Sequence, residues 1–321
     1  MLTLFTTPKA FRGHINVIQR NALRSWKLLD PDAEVIVFGG DEGAADVCHE
    51  LGLRHEAEVA RSASGTKRVD SIFGRAQEIA RHSTLCYVNC DIILTKDFVE
   101  AVRRVRVWRE NFLMVGCRWD TDVTTPIDFA RSDWGAELVR LARTEGYRRF
   151  YYNIDYFVFR RGMYAEIPQL VIGRVGWDHW LVGRAHADRV PIVDATDTVC
   201  AVHQNHDYGY HPKGMTGVWY DAEAKRNLEL TRRSVRPRTI EDAEFRLTAS
   251  GIERNRMHRL APTKRAVREG IRLGRAWMQT YVWHPLLNST RPVRHALGLR
   301  KETIPEGLQR SKRRRHWLDA G

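Results

Sequence analysis

Apolar residues in the first part of the chain alternate between two spacings. Residues 2–6 form a short strand-like run, and Ile15, Ile18, Ala22, Trp26 and Leu29 then recur at helical intervals across residues 14–29. Residues 34–40, EVIVFGG, are continuously apolar and close on glycines, the pattern of a strand covered on both faces of a parallel sheet. The alternation predicts helices near 44–51 and 69–81, a strand over 85–94, a helix near 97–107 and a strand over 112–117. Past Trp119 come a loop rich in Asp and Thr, a helix near 134–144, an aromatic strand over 151–160, a helix near 177–187 and a strand-like stretch over 190–202. Strands alternating with helical segments predict an α/β fold whose sheet is mainly parallel and flanked by helices.

With 321 residues, 43% hydrophobic and 28% charged, the composition excludes a disordered chain. The net charge of +13 is unevenly distributed. Residues 1–221 hold 28 Lys and Arg against 29 Asp and Glu, whereas residues 222–321 hold 24 against 10. A near-neutral catalytic unit is therefore expected over 1–221 and a basic, mainly helical extension over 222–321. Within 262–287, Arg265, Arg268, Arg272 and Arg275 fall on one helical face beside Val267, Ile271, Met278 and Tyr281, with Trp277 and Trp283 at the end. Such a helix suits the surface of an anionic membrane, and Lys312 to Arg315 add a second cationic cluster. The alternative is a helix packed on the catalytic unit with its arginines in water. No nucleic-acid recognition motif accompanies the charge, so no nucleic-acid partner is expected. The five cysteines are an odd number without a C-x-x-C pair, which points to reduced core thiols. Without a signal-like start or about 18 consecutive apolar residues, the expected location is cytoplasmic, with any membrane contact peripheral.

Ligands of open α/β sheets gather at the carboxyl ends of the strands. Those ends carry Thr6, Thr7 and Pro8, then Gly39 to Glu42, then Asn89, Cys90 and Asp91. Asp91 lies between apolar neighbours, where a bare carboxylate is costly; either a divalent metal or local hydrogen bonds satisfy it. Neither G-x-G-x-x-G nor G-x-x-x-x-G-K-[ST] occurs, which leaves carboxylate-held Mn²⁺ or Mg²⁺, helped by arginines, as the means of binding a diphosphate. Asn89 and Asp91, two residues apart, face one side of an extended chain.

The β-α-β start, Asp41-Glu42 after the second strand, the helix with Arg75 and the segment Tyr87 to Asp91 together resemble GT-A-fold nucleotide-sugar glycosyltransferases of the family 2 type over roughly residues 1–210. The fold this implies is the Rossmann-like one of nucleotide-diphospho-sugar transferases. N-x-D stands here where that clan carries D-x-D. The resemblance implies that Asp91, Asn89 and His203, with His206 next in line, hold Mn²⁺ or Mg²⁺ on the diphosphate of a UDP- or GDP-sugar. It further implies that Thr6, Thr7 and Asp41 contact the nucleoside and that Arg75 approaches the phosphates. Asp178 stands where inverting members carry their base, although an Asp in the first turn of a helix also serves simply as a cap. Asp155, the pair Trp119-Asp120 and Trp177 fall where a saccharide or lipid-linked acceptor would be held. Two other readings are a sugar-nucleotide nucleotidyltransferase, whose G-G-x-G-T-R loop is missing, and a non-catalytic membrane- or nucleic-acid-binding protein acting through the basic tail.

Overall fold

The structure is a computed structural model, and it describes residues 2–206, 214–256 and 258. In chain order the elements are β1 (Thr3–Thr6), α1 (Gly13–Lys27), β2 (Glu34–Phe38), α2 (Ala44–Leu51), β3 (Arg54–Glu56), α3 (Val69–Ile79), β4 (Thr84–Val88), β5 (Ile92–Ile93), α4 (Lys96–Trp108), β6 (Leu113–Val115), β7 (Arg118–Thr121), α5 (Trp134–Thr144), β8 (Tyr147–Arg148), β9 (Tyr156–Arg160), α6 (Trp177–Ala187), β10 (Ile192–Asp194), β11 (Ala201–Gln204), α7 (Gly214–Tyr220), α8 (Ala222–Ser234), a 3-10 turn (Ile240–Asp242), β12 (Phe245–Leu247) and β13 (Ile252–Arg254). The fold is the expected α/β architecture with a mainly parallel central sheet. Nine strands follow the order β13-β12-β10-β6-β9-β4-β1-β2-β3. The sheet is parallel except where β9 runs against β4 and β6 and where β13 runs against β12.

Both faces of this sheet are covered, which is why its strands lack an apolar-polar alternation. Leu4, Val35, Val37, Cys86 and Val88 point into a core shared with α1, α2 and α4. Their neighbours Phe5, Ile36, Phe38, Leu85 and Tyr87 point into a second core with α3 and α6. Burial of each such side chain stabilises the fold by roughly 1.5–3 kcal/mol. Phe73 of α3 anchors the second face: its ring stacks on Tyr87 at 5.3 Å and Phe159 at 5.8 Å and meets the edge of Phe5 at 5.0 Å.

A smaller sheet, β5-β11-β7-β8, lies beyond the carboxyl end of β4, and two of the predicted strands break in order to reach it. The apolar run over 85–94 contains a turn at Asn89 to Asp91, closed by the Ile92 amide donating to Asn89 O at 3.1 Å. β4 before the turn belongs to the large sheet and β5 after it to the small one. Likewise 190–202 is two strands, β10 and β11, separated by a turn in which the Thr196 amide donates to Asp194 Oδ1 and the Thr198 and Val199 amides donate to Ala195 O. At the first break the flanking Tyr87, Val88, Ile92 and Ile93 are all apolar and buried, so periodicity hides it.

The main sheet also continues past residue 221, the boundary expected from the charge. β12 pairs in parallel with β10, and contacts divide the chain into Met1–His258 and Arg259–Gly321. The amphipathic helix expected over 262–287 and the cluster at 312–315 lie outside the described residues. Among the described residues no helix is long and apolar enough to cross a membrane. All five cysteines are buried and unpaired.

Gly183 shows how closely α6 approaches the chain after α8. A Cβ there would lie 2.4 Å from the backbone oxygen of Arg236 and 3.0 Å from Val235 Cγ2. Gly183→Ala is expected to lower stability by about 1–3 kcal/mol through this overpacking. Urea unfolding of the variant reads the effect, and an unchanged midpoint would show that the contact yields freely.

Candidate active site

The break at 89–91 places Asp91 between the two sheets, and the register of the small sheet brings the remaining groups to it. Ile92 of β5, His203 of β11 and Asp120 of β7 are direct neighbours across the strands. Asp91 Oδ2 lies 3.1 Å from His206 Nε2 and 3.9 Å from His203 Nε2. One potential ligand atom from each of Asp91, His203 and His206 lies within 4.8 Å of the others. Atoms that share a metal at about 2.0–2.2 Å sit no more than about 4.4 Å apart, so the trio needs only a slight contraction to close on an ion. Asp91 Oδ1 is buried and has no hydrogen-bond partner among the described residues, a costly state that a cation would relieve. A carboxylate with two imidazoles is a donor set that fits Mn²⁺ or a similar divalent ion. Burial works to raise the Asp91 carboxyl; His206, His203 and Lys9 outweigh it and hold the group well below the usual carboxylate range.

Behind this trio is a buried charge network. Arg118 donates from Nε to Asp120 Oδ1 at 2.8 Å and from a terminal nitrogen to both oxygens of Asp155 at 3.0 Å. Arg149 also donates to Asp120, and His203 Nδ1 lies 3.2 Å from Asp120 Oδ1. The Asp120 carboxylate thereby lies beside one nitrogen of the His203 ring, outside hydrogen-bond geometry, and leaves the other nitrogen on the side of Asp91. Burial would push the Asp120 carboxyl up, but His203, Arg118 and Arg149 hold it below its ordinary range.

The trio opens on a cavity of about 550 Å³ lined by the ends of β1, β2 and β4. Its carboxylates are Asp41, Asp91 and Asp155, and its cations are Lys9, Arg61, Lys67, Arg118 and Arg174. The excess of cations suits an anionic ligand. Lys67, 7% exposed, donates to Thr7 Oγ1 at 2.7 Å and Pro8 O at 2.6 Å and pairs with Asp41, tying the ends of β1 and β2 together. Burial lowers its ammonium pKa even with Asp41 beside it. The turn before Asp41 requires glycine: Gly39 has φ +110°, and a Cβ would sit 2.8 Å from Asp41 Oδ2. Lys9 is fixed through its backbone, which exchanges hydrogen bonds with Gln19 at 2.6 and 2.9 Å, and its Nζ lies 3.4 Å from His206 Nε2.

Of the residues singled out in the sequence, the cavity brings together Thr7, Asp41, Asn89, Asp91, Asp155, His203 and His206. Asn89 is turned away from a ligand's part: Nδ2 donates to Asp155 Oδ1 at 2.7 Å, and Oδ1 accepts from Tyr87 at 3.1 Å. Thr6 is fully buried beneath the site and does not line it. Arg75 lies on the far end of α3 and pairs with Glu56 at 3.3 Å and Glu78 at 3.2 Å, outside the cavity lining. Trp177 belongs to the core, its ring against Tyr87 at 5.2 Å and Phe157 at 5.7 Å. Trp119 packs on the small third core with Arg148 over its ring at 6.0 Å, and Asp120 supports His203 from behind. Asp178, in the first turn of α6, accepts from the His179 amide at 2.9 Å and is not among the lining residues. Sequence reasoning missed Lys9, Arg61, Lys67, Arg118 and Arg174. Only Arg118 carried a signal, because opposite charges at 118 and 120 share one face of a strand.

No known protein family and no curated protein matches the chain. Among solved structures it is similar to S. aureus TarS 1-349 in complex with UDP-GlcNAc, at 11% identity and TM-score 0.44 over 64% of this chain and 59% of that one. It is also similar to glucosyl-3-phosphoglycerate synthase from Mycobacterium tuberculosis in complex with Mn²⁺, uridine diphosphate and glucosyl-3-phosphoglycerate, at 13% identity and TM-score 0.44 over 72% and 78%.

Arg118→Met leaves Asp120 and Asp155 buried with less compensation and is expected to cost about 3–5 kcal/mol of stability. Adding Asp155→Asn recovers part of that loss. Urea denaturation of the single and double variants tests this, and a double variant no more stable than the single one would contradict the shared-charge account.

Proposed function

We propose that the chain is a metal-assisted glycosyltransferase that takes a sugar from a nucleoside-diphosphate donor to a saccharide or lipid-linked acceptor. The observation that carries this reading is the convergence of Asp91, His203 and His206 at the mouth of a cation-rich cavity at the strand ends, with one oxygen of Asp91 buried and unsatisfied. Asp91, His203 and His206 would hold the ion. A bound divalent ion supplies charge neutralisation for the departing diphosphate. The two imidazoles favour Mn²⁺ over Mg²⁺, which prefers oxygen ligands.

The chain's own groups take the remaining work. Thr7 and Asp41, fixed by Lys67, border the end of the cavity suited to the nucleoside. Lys9 sets positive charge beside the ion site, where negative charge accumulates as the sugar departs. Asp155, held by Arg118 and Asn89, forms part of the floor on the acceptor side. Asp178, the expected general base, lies in the first turn of α6 outside the described cavity lining, with one oxygen accepting from the His179 amide.

A thermal-shift screen against UDP-, GDP-, CDP- and dTDP-sugars tests the reading, since selective binding raises the melting temperature. One nucleotide class is expected to stabilise the chain with Mn²⁺ and to lose at least tenfold in affinity in Asp91→Asn and His203→Ala. Absence of any shift with all four classes would overturn the assignment.

A further inference from the structure

The rim of the cavity includes a tight hairpin that the account above leaves without a task. Residues 61–67 fold back on themselves: Arg61 bridges Lys67, the Ser62 amide donates to Thr66 O at 2.8 Å, and Gly65 turns the chain at φ +83°. The end at Lys67 is fixed inside the cavity by Thr7, Pro8 and Asp41. The outer side of the hairpin is held by one residue, Glu223, in the first turn of α8. Its two oxygens accept from the hydroxyls of Ser62 and Thr66, the latter at 2.6 Å, and one of them pairs with Arg174 at 3.1 Å. α8 is itself fixed in place: Asp221 caps it by accepting from the Ala224 amide at 2.7 Å, and Asn227 exchanges two hydrogen bonds with the backbone of Val171 at 2.9 and 3.0 Å.

The charges on this wall are unequal. Arg174 is committed to Asp221 at 2.7 Å and to Glu223, and Lys67 to Asp41. Arg61 is exposed at the cavity, and its guanidinium donates to a neutral group, the Gly65 carbonyl at 2.8 Å. Among the described residues no acidic side chain pairs with Arg61, so this guanidinium, held at one edge by its own hairpin, is suited to a phosphate oxygen.

We propose that the 61–67 hairpin is an anion clamp: Arg61 takes the diphosphate of the donor, and Glu223 is the positioning residue that holds the hairpin at the angle this requires. The inference rests on the reading of the cavity as a nucleotide-sugar site. It assigns Arg61 the phosphate contact that the sequence suggested for Arg75.

A double-mutant cycle tests it, with calorimetric titration of UDP, GDP, CDP and dTDP in the presence of Mn²⁺. Arg61→Gln is expected to weaken the diphosphate that wild type binds best by about tenfold or more, the loss of a charged hydrogen bond. Glu223→Gln, which keeps the side chain's size, is expected to weaken it about three- to tenfold. Combined, the two should be no worse than Arg61→Gln alone within about twofold, since Glu223 acts through Arg61. Mn²⁺ affinity, read by electron paramagnetic resonance without nucleotide, stays within about twofold of wild type in all three variants, which separates a clamp from general damage to the fold. Unchanged affinity in Arg61→Gln, additive losses in the cycle, or loss of Mn²⁺ binding in Glu223→Gln each overturn the clamp. If wild type binds none of the four diphosphates, the reading of the cavity fails first and the clamp with it.

Discussion

Arg118 lies between two buried carboxylates, and the geometry of the site follows from that pairing. Three charges removed from water cost several kcal/mol each unless their hydrogen bonds are satisfied together. Here one guanidinium serves Asp120 on its own strand and Asp155 just before β9, so it ties the small sheet to the large one beneath the site. Asp155 then fixes Asn89 through both its backbone and its side chain, and Asn89 begins the turn that delivers Asp91. Asp120 faces His203. Asp91 and His203 are therefore both positioned from one buried ion network, while His206 follows β11.

The cavity itself is organised as a separation of committed and uncommitted charge. Asp41 is matched by Lys67, Asp155 by Arg118 and Arg174 by two acids of α8. These pairs set the shape of the walls and contribute little net field. What remains among the described residues is Asp91, with one oxygen lacking a hydrogen bond, and the guanidinium of Arg61. An ion at the first and a phosphate at the second would use the charges that the fold leaves over.

The layered α/β plan was legible in the sequence because burial on both faces writes a strand as an unbroken apolar run, and amphipathic helices write themselves at 3.6-residue spacing. Helices α5 and α6 begin and end where the pattern placed them. Asp91 stood out as a carboxylate inside an apolar run and His203 as the first of a polar cluster directly after a strand, and the structure sets the two side chains 3.9 Å apart. The same continuity concealed the turn at 89–91, since an apolar run does not say which of two sheets each half joins; the turn at 195–200 was marked by the polar stretch Asp194 to Thr198 and was passed over. Arg75 and Trp177 misled because position along a helix does not reveal which way a side chain faces: Arg75 turns to Glu56, and Trp177 turns into the core. Lys67 and Arg61 went unseen because the hairpin that carries them is held from α8, more than 150 residues away in sequence.

The central claim is that Asp91, His203 and His206 hold a divalent cation against a diphosphate in this cavity. The most direct measurement is anomalous diffraction at the manganese edge from crystals grown with Mn²⁺ and the nucleoside diphosphate that stabilises the chain most. The account predicts an anomalous peak within about 2.0–2.3 Å of one atom from each of the three side chains, with the diphosphate adjoining it. A peak elsewhere, or a diphosphate bound in the cavity with no ion at these three residues, would contradict it.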